Sequence, residues 1–385
     1  MIPYGRQEIT DEDIDAVVEV LRSAFLTQGS ALPEFEDDVC KYTGAKHAIA
    51  VNSGTSALHL ACRAIDLGPN DWLWTSAITF ASSANCGLLC GAKVDFVDID
   101  HDDWNLSVEK FETKLILAEK ENKLPKVLVL VHFCGLPANL LEINRLCKKY
   151  NVYLVEDAAH ALGASYGNSK IGDCSFSDIA ILSFHPVKSI TTGEGGIVLT
   201  NNDEFAKKIK LLRSHGITRE INEMSRKPDG PWFNEQIDLG YNYRMTEIQA
   251  ALGSSQLKRL DSYVALRNNK AEIYRSELED LPLKFQRINE GCYSSMHLFV
   301  IRLQREKIKN THIEIFNSLI ASGIGVNLHY MPVYKHGYFK NMKFIDNDFN
   351  ESEDYYKEAI TIPMYPTLKD SDQLFVIDKI REITN

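Results

Sequence analysis

Val152-Tyr153-Leu154-Val155-Glu156-Asp157-Ala158-Ala159-His160 is an apolar run that ends in two acids, then small residues and a histidine. Its apolar side chains fall on both parities of a two-residue repeat, so a strand formed here offers no face to water. Further runs of this kind lie at His47 to Val51, Trp72 to Thr75, Lys93 to Asp98, Lys126 to His132, Asp178 to Phe184 and Gly196 to Thr200. Helical patterns such as Thr55 to Ile65 and Leu140 to Tyr150 separate several of them. Strands apolar on both faces, alternating with helices, predict an α/β fold with a mainly parallel sheet covered on two sides.

Outside this region the texture changes. Thr10-Asp11-Glu12-Asp13 opens a helix in which the threonine can cap, the acids suit the positive end, and Ile14, Val17, Val18 and Leu21 return on one face. Phe25-Leu26-Thr27-Gln28-Gly29-Ser30 breaks that period and reads as a loop. After Asn201 come a helix from about Glu204 to Arg213, a polar stretch with Pro228, Gly230 and Pro231, and a long helical pattern from near Met245. A strand at His297 to Leu303, a helix from about His312 to Ser322 and a strand near Gly325 to His329 predict a smaller α+β C-terminal domain. The expected division is an arm over 1–12, a large domain over 13–245, and a connector helix with the small domain over 246–385.

The 385 residues are 44% hydrophobic and 25% charged, enough apolar material for a large core and too much for intrinsic disorder. Lysine and arginine number 42 against 53 aspartates and glutamates, a net charge of -11 that repels a nucleic-acid backbone on average. The eight cysteines show neither C-x-x-C nor zinc spacing, so no metal is expected, and reduced, mostly buried thiols fit a cytoplasmic protein. The N-terminus lacks a signal pattern, and no window approaches the ~18 apolar residues of a membrane span.

Three segments carry chemistry. Asn52-Ser53-Gly54-Thr55-Ser56-Ala57-Leu58 follows a strand and opens a helix, where small residues, hydroxyls and unpaired N–H groups make an anion cradle, although alone it is equally a cap and tight turn. Asp157 closes a strand at the end where α/β sheets place ligands; singly, it could cap a loop, and His160 could be a core histidine. Lys188 follows Ser183-Phe184-His185-Pro186-Val187 and precedes Thr191-Thr192-Gly193-Glu194-Gly195-Gly196. Apolar neighbours there would desolvate the amine and lower its pKa toward that of a usable nucleophile. Phosphate cradle, strand-end carboxylate and reactive lysine are the three partners pyridoxal 5'-phosphate needs. A nicotinamide oxidoreductase is disfavoured because the turn Asn52-Ser53-Gly54-Thr55 lacks G-x-G-x-x-G. A non-catalytic cofactor-binding regulator is the remaining alternative.

With these segments, and with Leu26-Thr27-Gln28-Gly29, Tyr241-Asn242-Tyr243-Arg244-Met245 and Val326-Asn327-Leu328-His329-Tyr330, the whole chain resembles the DegT/DnrJ/EryC1/StrS family of nucleotide-sugar aminotransferases. The resemblance implies the fold type I architecture of pyridoxal-phosphate-dependent transferases, like aspartate aminotransferase. It implies that Lys188 attaches the cofactor's aldehyde, Asp157 faces its pyridine nitrogen, His160 its 3-hydroxyl, and Phe80 stacks on its ring. Thr55, Ser56 and Ser183 would hold the phosphate, with Asn242 arriving from the neighbouring subunit of a homodimer. Tyr4, Leu26, Thr27, His185, Asn327, His329 and Tyr330 match positions that contact the sugar nucleotide. The segments at 2–7, 25–29 and 327–334 look most like the branch that aminates C4 of UDP-2-acetamido-2,6-dideoxy-β-L-arabino-hex-4-ulose, with L-glutamate as donor. Arg213, Arg219 and Arg244 are the candidates to meet the donor carboxylate.

Overall fold

The computed structural model describes residues 1–384 apart from 343 and 345–347. Its central sheet has seven strands: β1 (His47–Val51), β2 (Trp72–Ser76), β3 (Lys93–Val97), β4 (Val127–Val131), β5 (Tyr153–Asp157), β6 (Ile179–Ser183) and β7 (Gly196–Thr200). The spatial order is β1-β7-β6-β5-β4-β2-β3. Strands β2 to β6 run parallel, with Leu128 beside Leu154 and Asp157 beside Ile181. Strand β7 is antiparallel to both neighbours. The segment joining β6 to β7 has no crossover helix, so the chain must turn straight back. Lys188 sits on that return.

Both faces of the sheet are buried, as the apolar parity requires. In β4, Leu128 and Leu130 enter one core with Phe35, Trp74, Leu154 and Leu182. Val127 and Val129 enter the opposite core with Ile49, Leu58, Phe96 and Ile181. The covering helices include α1 (Asp11–Arg22), α2 (Ala31–Thr43), α3 (Gly54–Ala64), α4 (Ser82–Leu89), α5 (Val108–Glu121), α6 (Leu140–Tyr150) and α7 (Asp203–Arg213). Helix α6 starts where Asn139 accepts from the Glu142 amide at 3.3 Å and stops at Asn151 in the left-handed region, two local signals that fix its length.

Two expectations need correcting. The long helical pattern from near Met245 is two helices, α8 (Glu247–Leu257) and α9 (Leu260–Leu278), and Arg259 at their junction donates to Asp13 at 2.7 and 2.6 Å. On α1, Ile14 and Leu21 are 51% and 54% exposed while Val17 and Val18 are half-buried. What that helix buries is Asp13, which also accepts from Ser255 at 2.6 Å and Gln256 at 2.7 Å on α8. Finally, Gly325 to His329 forms no strand. It touches a second sheet, β8 (Leu283–Phe285), β9 (Phe299–Leu303) and β10 (Ala359–Ile362), through one bridge from Asn327 to Thr361. The Asn327 side chain takes the Leu328 N–H at 2.8 Å, a local bond that competes with ladder formation.

The second sheet is antiparallel in the order β8-β9-β10, and its core joins Phe299, Ile301, Ile360 and Ile362 to Tyr274 and Leu278 of α9. All eight cysteines are free thiols, five of them buried. Among the described residues no helix is long and apolar enough to cross a membrane.

Candidate active site

The cradle forms where β1 hands over to α3. Ser53 has extended backbone and accepts from the Ser56 amide at 3.1 Å, while the Ser56 hydroxyl donates to Asn52 Oδ1 at 2.7 Å. Two glycine contacts set how closely this turn approaches the sheet. A Cβ on Gly54 would lie 3.0 Å from Ser183 Cβ, and one on Gly196 would lie 2.4 Å from the Ser53 carbonyl oxygen. Ser183, at the end of β6, is thereby brought under the N-terminus of α3. Ser56 is buried and Thr55 is exposed beside it. Asn242 is exposed too, with its carbonyl oxygen 3.4 Å from Asn52 Nδ2 of the same chain.

Asp157 ends β5 and is buried. Ser83 on α4 donates to its Oδ2 at 2.6 Å, the Ala159 amide donates to Oδ1 at 3.2 Å, and Thr79 lies 2.8 Å from Ser83. Adjacent strand residues point to opposite faces, so the two acids of the opening run part company. Glu156 instead lies 2.8 Å from buried His132 Nε2 and accepts from Ser177, a structural pairing.

Lys188 is held by a return pinned at its base. The Phe184 amide donates to Gly195 O at 2.9 Å, the Thr192 amide to Phe184 O at 3.0 Å, and the Lys188 amide to His185 O at 2.9 Å. Buried Phe184 packs edge-on to Phe35, with ring centroids 5.3 Å apart. Burial pulls the Lys188 amine down to about 8, and the Asp157 carboxylate opposes the shift. The side chain keeps a partial opening to solvent, so enclosure by protein rather than complete exclusion of water carries that effect.

Three histidines close the site around this amine. His160 and His297 are held well below the usual imidazole range, and His329 falls to about 3, in each case chiefly by burial with repulsion from Lys188 added. They are therefore neutral at pH 7. The His160 and His297 rings lie 4.5 Å apart, and Tyr330 Oη is 3.2 Å from His160 Nε2. His160 Nδ1 is buried without a hydrogen-bond partner. His329 Nδ1 lies 2.9 Å from Thr361 Oγ1, and its ring is 5.2 Å from that of Tyr4. Phe80 is 59% exposed, with its ring centroid 6.1 Å from that of Tyr330.

The predicted residues thus fall into groups. Asp157, His160, Lys188, Phe80, Tyr4, His329, Tyr330 and Asn327 are linked through the contacts above. Leu26 and Thr27 are exposed at the opening of α8, where Leu26 O accepts from the Glu247 amide at 3.0 Å; none of their described contacts reaches the tyrosine and histidine cluster. His185 is exposed as well. Arg213 is engaged, donating to Glu36 at 2.5 Å and to Ala50 O at 2.8 Å. Sequence reading assigned no role to Ser83 or His297. Ser83 lies in a small-residue helix with no polar periodicity. His297 opens an apolar strand run, and a histidine there was the available signal.

This donor set fits pyridoxal phosphate: an orphaned buried nitrogen on His160, a helix N-terminus approached by a serine, an exposed aromatic ring, a buried carboxylate and a lysine of lowered basicity. Residues 7–381 match the DegT/DnrJ/EryC1/StrS aminotransferase family, and the chain belongs to it. It has the fold of pyridoxal-phosphate-dependent sugar aminotransferases and is an aminotransferase of that class. A UDP-4-amino-4,6-dideoxy-N-acetyl-beta-L-altrosamine transaminase of Campylobacter jejuni subsp. jejuni serotype O:2 is 39% identical over 384 residues, covering 100% of this chain and 97% of the relative. PseC of Helicobacter pylori, an aminotransferase involved in the biosynthesis of pseudoaminic acid, superimposes with a TM-score of 0.89 at 30% identity, over 100% of this chain and 99% of that one. A putative sugar aminotransferase of Streptococcus pneumoniae, solved in its PLP-form, gives a TM-score of 0.89 at 27% identity, over 100% and 98%.

Proposed function

We propose that the chain converts UDP-2-acetamido-2,6-dideoxy-β-L-arabino-hex-4-ulose to its 4-amino sugar with L-glutamate as donor, in pseudaminic acid biosynthesis in the cytoplasm. The observation that carries the chemistry is Lys188, an amine lowered to about 8 on the β6–β7 return and influenced by the Asp157 carboxylate. The particular sugar is supported by the named Campylobacter relative.

Bound pyridoxal phosphate supplies a pyridinium ring that accepts the electron pair left when a Cα–H bond is cleaved. In this reading Asp157 keeps the ring nitrogen protonated, and Ser83 holds the carboxylate in place for that task. Ser56, Thr55, Ser183 and the N–H groups opening α3 hold the phosphate. Phe80 covers a ring face, and His160 meets the 3-hydroxyl. Lys188 Nζ takes a proton from the α-carbon of glutamate and returns one to C4 of the sugar, which its lowered basicity suits near neutral pH. Tyr4, Asn327, His329 and Tyr330 orient the sugar; Leu26, Thr27 and His185 contact its nucleotide end. Asn242 completes the phosphate site of a second subunit in a homodimer. The same reading treats 1–12 as an arm, 13–245 as the large domain and 246–385 as connector and small domain.

The test is a spectrum followed by a panel. Glutamate should bleach the visible cofactor band, and of several UDP-4-keto sugars the named one should restore it fastest. A band untouched by glutamate would contradict transamination, and faster restoration by another sugar would overturn the substrate.

A further inference from the structure

Asn52 follows β1 and lies between the phosphate cradle and the segment that carries Asn242. Its backbone N–H donates to Tyr243 O at 2.9 Å, beside a bridge that pairs Val51 with Arg244. Its side chain faces two ways. Oδ1 accepts from the Ser56 hydroxyl at 2.7 Å, and Nδ2 donates to Asn242 O at 3.4 Å. The reverse orientation of the amide would set Oδ1 against that carbonyl oxygen, two acceptors with no proton between them. Among the described residues no backbone N–H donates to Asn242 O.

The neighbours of Asn242 hold the segment from the other side. The Tyr241 and Tyr243 rings stack 4.9 Å apart at 13°, and His59 of α3 packs 4.8 Å from Tyr241 with Nδ1 3.1 Å from Tyr243 Oη. The Tyr243 amide donates to Arg213 O at 3.1 Å and the His215 amide to Tyr241 O at 2.9 Å, which pairs Ser214 with Asn242. Alternate residues of an extended chain point to opposite sides. While the two tyrosines grip α3, the Asn242 side chain therefore faces away from it, and it is exposed.

We propose that Asn52 is a positioning residue for Asn242, so that a side chain in one subunit's cradle acts on the cofactor held by the other. Its role rests on Asn242 completing the phosphate site of the neighbouring subunit. The tyrosines and His59 fix where the segment lies, and Asn52 fixes the rotation of the peptide plane that follows Asn242. Without the Nδ2 bond that carbonyl is free to turn, and the side chain on the same Cα loses its aim. The Ser56 hydroxyl keeps the Asn52 amide in the orientation this needs, so a group of one phosphate cradle orders the donor sent to the other.

The test uses cofactor-loaded full chains with two distinguishable tags, mixed and purified as heterodimers of one unaltered and one variant subunit. After a timed chase in cofactor-free buffer, borohydride fixes the remaining cofactor to Lys188, and the intact mass of each subunit reports which site kept it. Asn52→Ala should empty the unaltered neighbour's site roughly 3- to 10-fold faster, the span expected for one hydrogen bond, and Asn242→Ala should empty the same site. With both changes in one subunit the neighbour should empty no faster than with Asn242→Ala alone, whereas a general loosening of structure would add to it. Asn52→Ser, too short to span Ser56 and Asn242 O, should repeat the pattern and guards against a fold lost in the alanine variant. Loss confined to the Asn52→Ala subunit, or full additivity on the neighbour, would overturn the role of Asn52 while Asn242→Ala still empties the neighbour. If Asn242→Ala also spares the neighbour, the shared site falls and the role of Asn52 falls with it.

Discussion

Lys188 is costly before it is useful. Its amine is lowered from 10.5 to about 8, so between those values the unfolded chain holds a proton that the folded chain has released. Stability of the cofactor-free protein therefore rises with pH across that window, and below it the full penalty is present. Lys188→Met should stabilise the cofactor-free protein at pH 7 by roughly 1–3 kcal/mol, with the gain shrinking toward pH 10. Urea titrations of both proteins across that range check it, and a pH-independent difference would contradict the stated cause. Asp157→Asn keeps the shape and the Ser83 contact but loses the charge. Turnover should fall by about 10²-fold or more while cofactor still binds, and a near-normal rate would remove Asp157 from its role. That Asp157 and Lys188 lie near one another was legible because Asp157 closes one apolar strand run and Lys188 follows the next. Ser83, which holds Asp157, was not legible, because long-range hydrogen bonds between a helix and a strand leave no periodic trace.

Among the elements, the meeting of β7 with α3 sets the cradle. Gly196→Ala would put a Cβ 2.4 Å from Ser53 O and 2.7 Å from Gly54 N, and both are backbone atoms that cannot swing aside. The turn must shift, at about 1–3 kcal/mol. A lowered Tm and a weaker hold on the cofactor phosphate are the expected readouts, and an unchanged Tm would mean the contact can relax. Strand positions in the central sheet were readable to within a residue or so, since Ile197 and Val198 go to opposite cores and only a strand buried on both faces does that. The parallel run was readable from the helices between its strands, but the reversal of β7 was not, because a strand without a solvent face looks the same in either direction and its reversal depends on the connection. The extended run at Asn327 failed for another reason, because the asparagine side chain took the next amide that a ladder would have used.

For the whole molecule, the account predicts sites shared between subunits. Asn242 is exposed, and Ile14 and Leu21 of α1 are half-exposed, surfaces that the proposed homodimer would cover. The sequence places Ile14, Val17, Val18 and Leu21 on one face of α1, and periodicity alone cannot separate a core from an interface. Asn242→Ala should weaken cofactor retention by roughly 1.5–3 kcal/mol, the usual value for a hydrogen bond to a charged group. Mixing Lys188→Ala with Asn242→Ala subunits should restore activity, because each mixed dimer holds one site with both lesions and one with neither. A mixture as inactive as its parents after verified exchange would place Asn242 within its own site or outside the mechanism. The central claim is amino transfer to C4 of the sugar, and nitrogen isotope tests it most directly. Protein supplied with ¹⁵N-labelled L-glutamate and UDP-2-acetamido-2,6-dideoxy-β-L-arabino-hex-4-ulose should give a sugar nucleotide with ¹⁵N at C4 and an equal amount of 2-oxoglutarate. Unlabelled keto sugar recovered beside intact glutamate, or label at another carbon, would contradict it.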